Sequence, residues 1–170
     1  MSTRFNVKRL ILMTAVVVIA LVYAAATGYS ARPAQGPGQN PHAFVGTWLV
    51  QTNITDCSGT TLENFSKLLS IDAGGTAHEI SSALPPSQRT VAFGVWQNVN
   101  QRNFVYALRF FRFTPGGVFT AVSEAKWNVL LDETADSYEA NATIKVTTPN
   151  GTVVANLCGT ENGTRMQIPE

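Results

Sequence analysis

The stretch Phe44-Val45-Gly46-Thr47-Trp48-Leu49-Val50 reads as the first strand of a β domain. Valine, phenylalanine, threonine and tryptophan favour a pleated backbone, on which successive side chains point to opposite faces. Phe44, Gly46, Trp48 and Val50 therefore share one face, and Val45, Thr47, Leu49 and Gln51 share the other. The face carrying both a Phe and a Trp is expected to be buried. Gly46 lies between the two aromatics, and a glycine inside a strand marks a bend or a close backbone approach.

Upstream, the character changes. Met1 to Arg9 holds Arg4, Lys8 and Arg9 and no acid, and Leu10 to Ala26 is apolar except for Thr14 and Tyr23. Ala24-Ala25-Ala26 closes the run with small residues. A basic start, an apolar middle and an A-x-A end make a secretory signal over residues 1–26. An uncleaved anchor is the alternative, although 17 residues fall short of the roughly 20 usual for a bilayer span. Residues 27–43 are rich in Pro and Gly and read as a linker. Residues 44–170 are long enough for one domain. The chain has 12 basic and 11 acidic residues, and removing Arg4, Lys8 and Arg9 leaves 9 against 11, a net charge of −2. Such a domain offers no basic surface to follow a phosphate backbone, so nucleic acid is not an expected partner. The expected location is secreted or periplasmic, with membrane contact only through an uncleaved N-terminal segment.

Downstream, seven more strands are expected. They run over Asn64 to Asp72, Thr76 to Ser81, Arg89 to Val99, Asn103 to Thr114, Val118 to Leu131, Tyr138 to Thr148 and Thr152 to Cys158. The last is expected to resume near Thr164 after an irregularity at Gly159 to Gly163. Gly74-Gly75, Pro115-Gly116-Gly117 and Asn150-Gly151 supply turn chemistry between them. Eight strands with short turns and no evident helix predict an all-β fold, an eight-stranded antiparallel up-and-down barrel, with a β-sandwich as the alternative. Such a barrel has room for packed side chains or one small ligand. On the inner faces of the sixth and seventh strands small residues occupy the middle, which leaves either reading open. The fifth strand is apolar on both faces, as expected of a strand covered on both sides, for example by a subunit interface, or of a bulge after Arg109.

The two cysteines are Cys57, just past the first strand, and Cys158, in the last. A closed barrel pairs its first and last strands, so a Cys57–Cys158 disulfide is expected in an exported protein. The alternative is two free buried thiols. Two cysteines so far apart in sequence, with only His42 and His78 beside them, suggest no metal site. N-x-S/T triplets begin at Asn53, Asn64, Asn141 and Asn162, and these residue types are common on exposed β faces.

Gly46-Thr47-Trp48 at the head of a β domain resembles the G-x-W signature of lipocalins and related calycins. In that family the Trp closes the bottom of an eight-stranded barrel, and an Arg near the end of the last strand stacks on it. The resemblance implies those roles for Trp48 and Arg165. Thr134, Asp136 and Tyr138 loosely echo the family's T-D-Y motif. No amphipathic helix is evident after the last strand, where typical lipocalins have one. The layout is nearer to calycin-like secreted bacterial proteins.

No G-x-S-x-G, H-E-x-x-H or phosphate-binding glycine loop occurs. His78 and Glu79 are adjacent in a strand and so face opposite ways. Arg109 and Arg112 do likewise unless bulged. Three classes of function follow. The first is a barrel that binds a small apolar ligand, with Phe93, Tyr106, Trp127 and Tyr138 as lining candidates and no cofactor. The second is a barrel-type cyclase or isomerase, which shapes a reactive substrate with few titrating groups. The third is a filled barrel that acts through protein partners. Fold alone does not choose among them.

Overall fold

The structure, a computed structural model, describes residues 40–169. The signal and most of the linker expected from the sequence lie outside the described residues. Eight antiparallel strands follow in order: β1 (Gly46–Thr55), β2 (Thr61–Ile71), β3 (Thr76–Ser81), β4 (Ala92–Asn100), β5 (Asn103–Phe113), β6 (Phe119–Leu131), β7 (Ser137–Thr147) and β8 (Val153–Arg165). Each pairs with its neighbours in sequence, and β1 pairs with β8, so the sheet is a closed barrel. The fold is the up-and-down barrel that the strand pattern predicts, not the sandwich.

Three local expectations are corrected. Phe44 belongs to a turn ahead of β1, which starts at Gly46. From that turn the ring still enters the core, where it is fully buried 5.5 Å from Trp48. The last strand is unbroken through Gly159 to Gly163. Its glycines make room for rings from elsewhere in the barrel: a Cβ on Gly163 would stand 2.1 Å from the Tyr138 ring, and one on Gly159 3.0 Å from Trp127. In β5 the register shifts between Arg112 and Phe113 rather than after Arg109. The outward Phe111 is left exposed, packed edge-on against Phe119.

One end of the barrel is filled. Phe44, Trp48, Phe104 and Tyr138 are buried there as an aromatic cluster, with Tyr138 edge-on to Trp48 at 5.1 Å. Trp48 Nε1 donates to the Phe44 carbonyl at 3.0 Å, so the indole is buried with its polar atom satisfied. The Arg165 guanidinium lies 4.2 Å from the Trp48 ring. It donates from Nη1 to the Val45 carbonyl, from Nη2 to the Ala43 carbonyl and from Nε to the Ala135 carbonyl, at 2.6–2.8 Å. One side chain thus ties the entry turn, the loop between β6 and β7 and the end of β8. The sequence requirement is Gly46: its φ of +144° disfavours a side chain, and a Cβ there would stand 2.5 Å from Arg165 Nη1.

The Cys57–Cys158 disulfide is present, with Cα atoms 4.9 Å apart. It fastens the β1–β2 turn to β8, where Thr55 is the residue paired with Cys158.

Two outcomes follow. Trp48→Ala should destabilise the protein by about 3–5 kcal/mol in denaturant unfolding, and a loss under about 1 kcal/mol would contradict a closing role. Replacing both cysteines by serine should remove up to about 4–5 kcal/mol, the chain-entropy value for a loop of about 100 residues.

Candidate functional site

Above the aromatic cluster the barrel holds charge. β2 alternates Phe65, Lys67, Leu69 and Ile71 onto the inner face, and Lys67 is carried inside with its apolar neighbours. The same alternation brings in Glu79 from β3, Tyr106 from β5, Tyr138 from β7, Glu161 from β8 and Thr52 from β1. Arg89, from the loop between β3 and β4, is also buried.

Lys67 Nζ is at the centre. It forms ion pairs with Glu161 and with Glu79, the latter at 3.1 Å, and donates to Tyr106 Oη at 3.1 Å. It also stands 4.6 Å from the centre of the Trp127 ring. Glu161 accepts hydrogen bonds from Tyr106 Oη, from Tyr138 Oη at 3.3 Å and from Thr52 Oγ1 at 3.3 Å. Arg89 Nη2 reaches the other oxygen of Glu79 at 2.9 Å, and its guanidinium lies 4.0 Å over the Phe110 ring.

Two cations face two carboxylates, so the cluster is formally neutral. Burial disfavours each charge, but the partners decide the balance. For Lys67 the burial penalty is outweighed by Glu161 and Glu79, and its pKa is raised. For Glu79 burial is outweighed by Lys67 and Arg89, and its pKa is lowered. For Glu161 burial prevails over Lys67, and its pKa is raised. Tyr106 and Tyr138 are pushed well above 10 by burial and by the charge of Glu161, so they act as hydrogen-bond donors. A buried ion cluster is no more stabilising than well-packed apolar side chains of the same volume. Its presence in a small barrel is therefore a pointer to function.

A cavity of about 80 Å³ adjoins the cluster. Lys67, Glu79, Arg89 and Trp127 line it together with Phe65 and Phe110, and Glu63 and Arg112 stand on its wall. Trp127 is buried, and its Nε1 has no hydrogen-bond partner among the described residues. Nor does the Arg112 guanidinium form an ion pair or hydrogen bond among those residues; burial lowers its pKa, opposed by the charge of Glu63. The site thus keeps one unused cation, Arg112, beside the apolar Phe65 and Phe110. A larger depression of about 740 Å³ lies outside the barrel, over β4 to β8. It is the bigger space, but the buried titratable groups belong to the smaller one.

The four lining candidates from the sequence separate. Trp127 lines the interior cavity. Tyr106 and Tyr138 are buried deeper, holding Glu161 from the side of the aromatic cluster. Phe93 is corrected: it points outward, 60 % exposed and edge-on to His78, because β4 turns Ala92 and Gly94 inward instead. Glu161 was not foreseen as a site residue, although it sits in phase with Gly159 and Gly163 on the face that turns inward. Lys67 carried the clearer signal, a lone cation between Phe65 and Leu69. The opposite facing of His78 and Glu79 is observed, with Glu79 inside. Arg109 lies outside, paired with Glu124.

No family model matches the chain, and no curated protein matches it in sequence. Among solved structures it is similar to the S-type phycobiliprotein lyase CPES from Guillardia theta, at 11% identity and a TM-score of 0.39, over 75% of this chain and 91% of that chain.

Lys67→Met should cost about 3–5 kcal/mol, because it strands two carboxylates in the interior. Adding Glu161→Gln should recover part of that loss. The pH dependence has two signs. Glu79, whose pKa is lowered, stabilises the fold above its ordinary value of 4.5, and this is lost as pH falls through the folded-state pKa. Glu161, whose pKa is raised from 4.5, contributes most below that value and less as pH rises through the folded-state pKa. Denaturant unfolding from pH 3 to pH 7 should therefore show the stability gap between wild type and Glu79→Gln shrinking towards acid. The gap to Glu161→Gln should shrink in the opposite direction.

Proposed function

We propose that this calycin-like barrel binds a small molecule in the interior cavity, with a hydrogen-bond-accepting head and an apolar body. The carrying observation is the Arg112 guanidinium, without an ion-pair or hydrogen-bond partner among the described residues, in the wall of a cavity that adjoins the buried Lys67–Glu79–Arg89 cluster. A guanidinium in such a wall pairs best with a carboxylate, which accepts two parallel N–H bonds. Phe65 and Phe110 offer the apolar contact. Lys67 and Arg89 are already engaged by Glu79 and Glu161, so they supply positive potential without being direct ligands.

Size narrows the class. At about 10–15 Å³ per water in a cavity, a space of about 80 Å³ suits a ligand of roughly five to eight non-hydrogen atoms, such as a short carboxylic acid. The Cys57–Cys158 disulfide supports an exported protein, and Arg165 stacked on Trp48 supports the calycin-like reading. A second reading, an isomerase or cyclase on the same barrel, is favoured by one feature. Lys67 and Glu79, both with displaced pKa values, stand in the cavity wall and connect to Tyr106 and Glu161.

Butyrate tested by calorimetry should bind one per chain, and butanol should bind more weakly. Arg112→Gln, which removes the charge and keeps a polar side chain, should weaken butyrate about tenfold, as expected for one hydrogen bond to a charged group. Absence of butyrate binding, or equal binding by Arg112→Gln, would count against the reading.

A further inference from the structure

The outer face of the barrel carries a second candidate site. Its depression of about 740 Å³ spans β4 to β8, within the usual range of about 300–1,000 Å³ for small-molecule pockets. Phe93 and Val95, 60 % and 61 % exposed, border it on β4, with Ala107 paired to Val95 on β5. The Cys57–Cys158 disulfide lies at the opposite side. Large side chains so open to solvent, grouped in a concave surface, mark a binding surface.

Charge is concentrated in the same place. The outward-facing lysines and arginines of the strands are Arg109, Lys126 and Lys145, and all three line the depression. The other described cations are either inward or at the barrel ends: Lys67, Arg89 and Arg112 lie inside, Arg165 folds over Trp48, and Arg102 sits in the β4–β5 turn beside Glu133. In the sheet register Arg109, Glu124 and Lys145 form one cross-strand row, and Lys126 occupies the next outward position on β6. Glu124 pairs with both Arg109, at 2.6 Å, and Lys145, at 3.2 Å. Lys126 has no ion-pair partner among the described residues. Three cations against one carboxylate leave the depression a net positive charge of two, on a domain whose outer acids otherwise cluster near its turns, as with Asp132, Glu133 and Asp136.

We propose that this outer depression binds an apolar anion, an aromatic or alicyclic carboxylate or sulfonate. Its ring body lies on Phe93 and Val95, and its acid group lies near Lys126 between Arg109 and Lys145. Such a ligand satisfies both halves of the surface. A neutral apolar molecule would leave the cations unused, and a fully hydrophilic polyanion would leave Phe93 and Val95 in water. The interior cavity, of about 80 Å³, shares the wall residues Ala125, Ile144 and Leu157 with this depression but is too small for a molecule of this size.

The probe is 8-anilinonaphthalene-1-sulfonate, whose fused rings exceed the interior space. The full domain should bind it in a saturable way, one per chain, with a fluorescence rise that weakens as salt is added. Lys126→Gln combined with Lys145→Gln should weaken it at least tenfold. Phe93→Ser should also weaken it, while near-ultraviolet circular dichroism shows the fold of each variant intact. Saturating butyrate should leave the affinity unchanged. The proposal is overturned if binding is absent, if neither variant changes it, if the neutral N-phenyl-1-naphthylamine binds as tightly, or if butyrate displaces the probe.

Discussion

Closure of β1 onto β8 is the constraint on which the rest depends. The pairing from Trp48–Arg165 to Thr55–Cys158 removes the free edges of the sheet, where unpaired backbone groups would invite other chains. It also creates the inside. Lys67, Glu79 and Glu161 come from β2, β3 and β8, and only a closed cylinder brings the second strand and the last within ion-pair distance. Two fasteners act on this seam: Arg165 near one end, reaching the Ala43 and Val45 carbonyls, and the disulfide near the other.

The interior is graded along its axis. Aromatic rings fill one end, the ion cluster crosses the middle, and a small cavity with apolar walls adjoins the cluster. The middle layer is expensive to bury, and it is tolerable only because Tyr106, Tyr138 and Thr52 complete the coordination of Glu161. The aromatic end gives those tyrosines a fixed backing. Rigid packing below and a preformed polar floor above are what a small-molecule site requires, since a loose site would spend binding energy on ordering.

Most of the fold was legible in the sequence, because alternation and turn residues are local signals. β3 was placed to the residue, and β5, β6 and β7 to within one residue at each end. The pairing of Cys57 with Cys158 is what barrel closure and export together predict, and it is present. What was not legible depends on neighbours distant in the chain. Gly159 and Gly163 looked like a break, since their function is to accommodate Trp127 and Tyr138 from other strands. Phe93 faces outward because the phase of β4 depends on which of its residues meets β3 and β5, which its own sequence does not show. Glu161 drew no notice because a carboxylate between glycines ordinarily faces water, and only the arrival of Lys67 across the barrel makes its burial tolerable.

The β1–β8 seam has a further consequence for how the molecule is made. Its two halves are about a hundred residues apart, so the first strand synthesised must wait for the last before it has both neighbours. Contacts of such long range slow folding, since loop-closure entropy is spent before the contacts reward it. During that wait the faces of β1 and β8 that later pair stand open as sheet edges, and the acid groups of the interior remain hydrated and separate. A chain lacking β8 lacks Glu161 as well as the seam, so it could not settle into a smaller version of the same barrel. The interval before the seam closes is when unpaired strand edges are most exposed to aggregation or proteolysis.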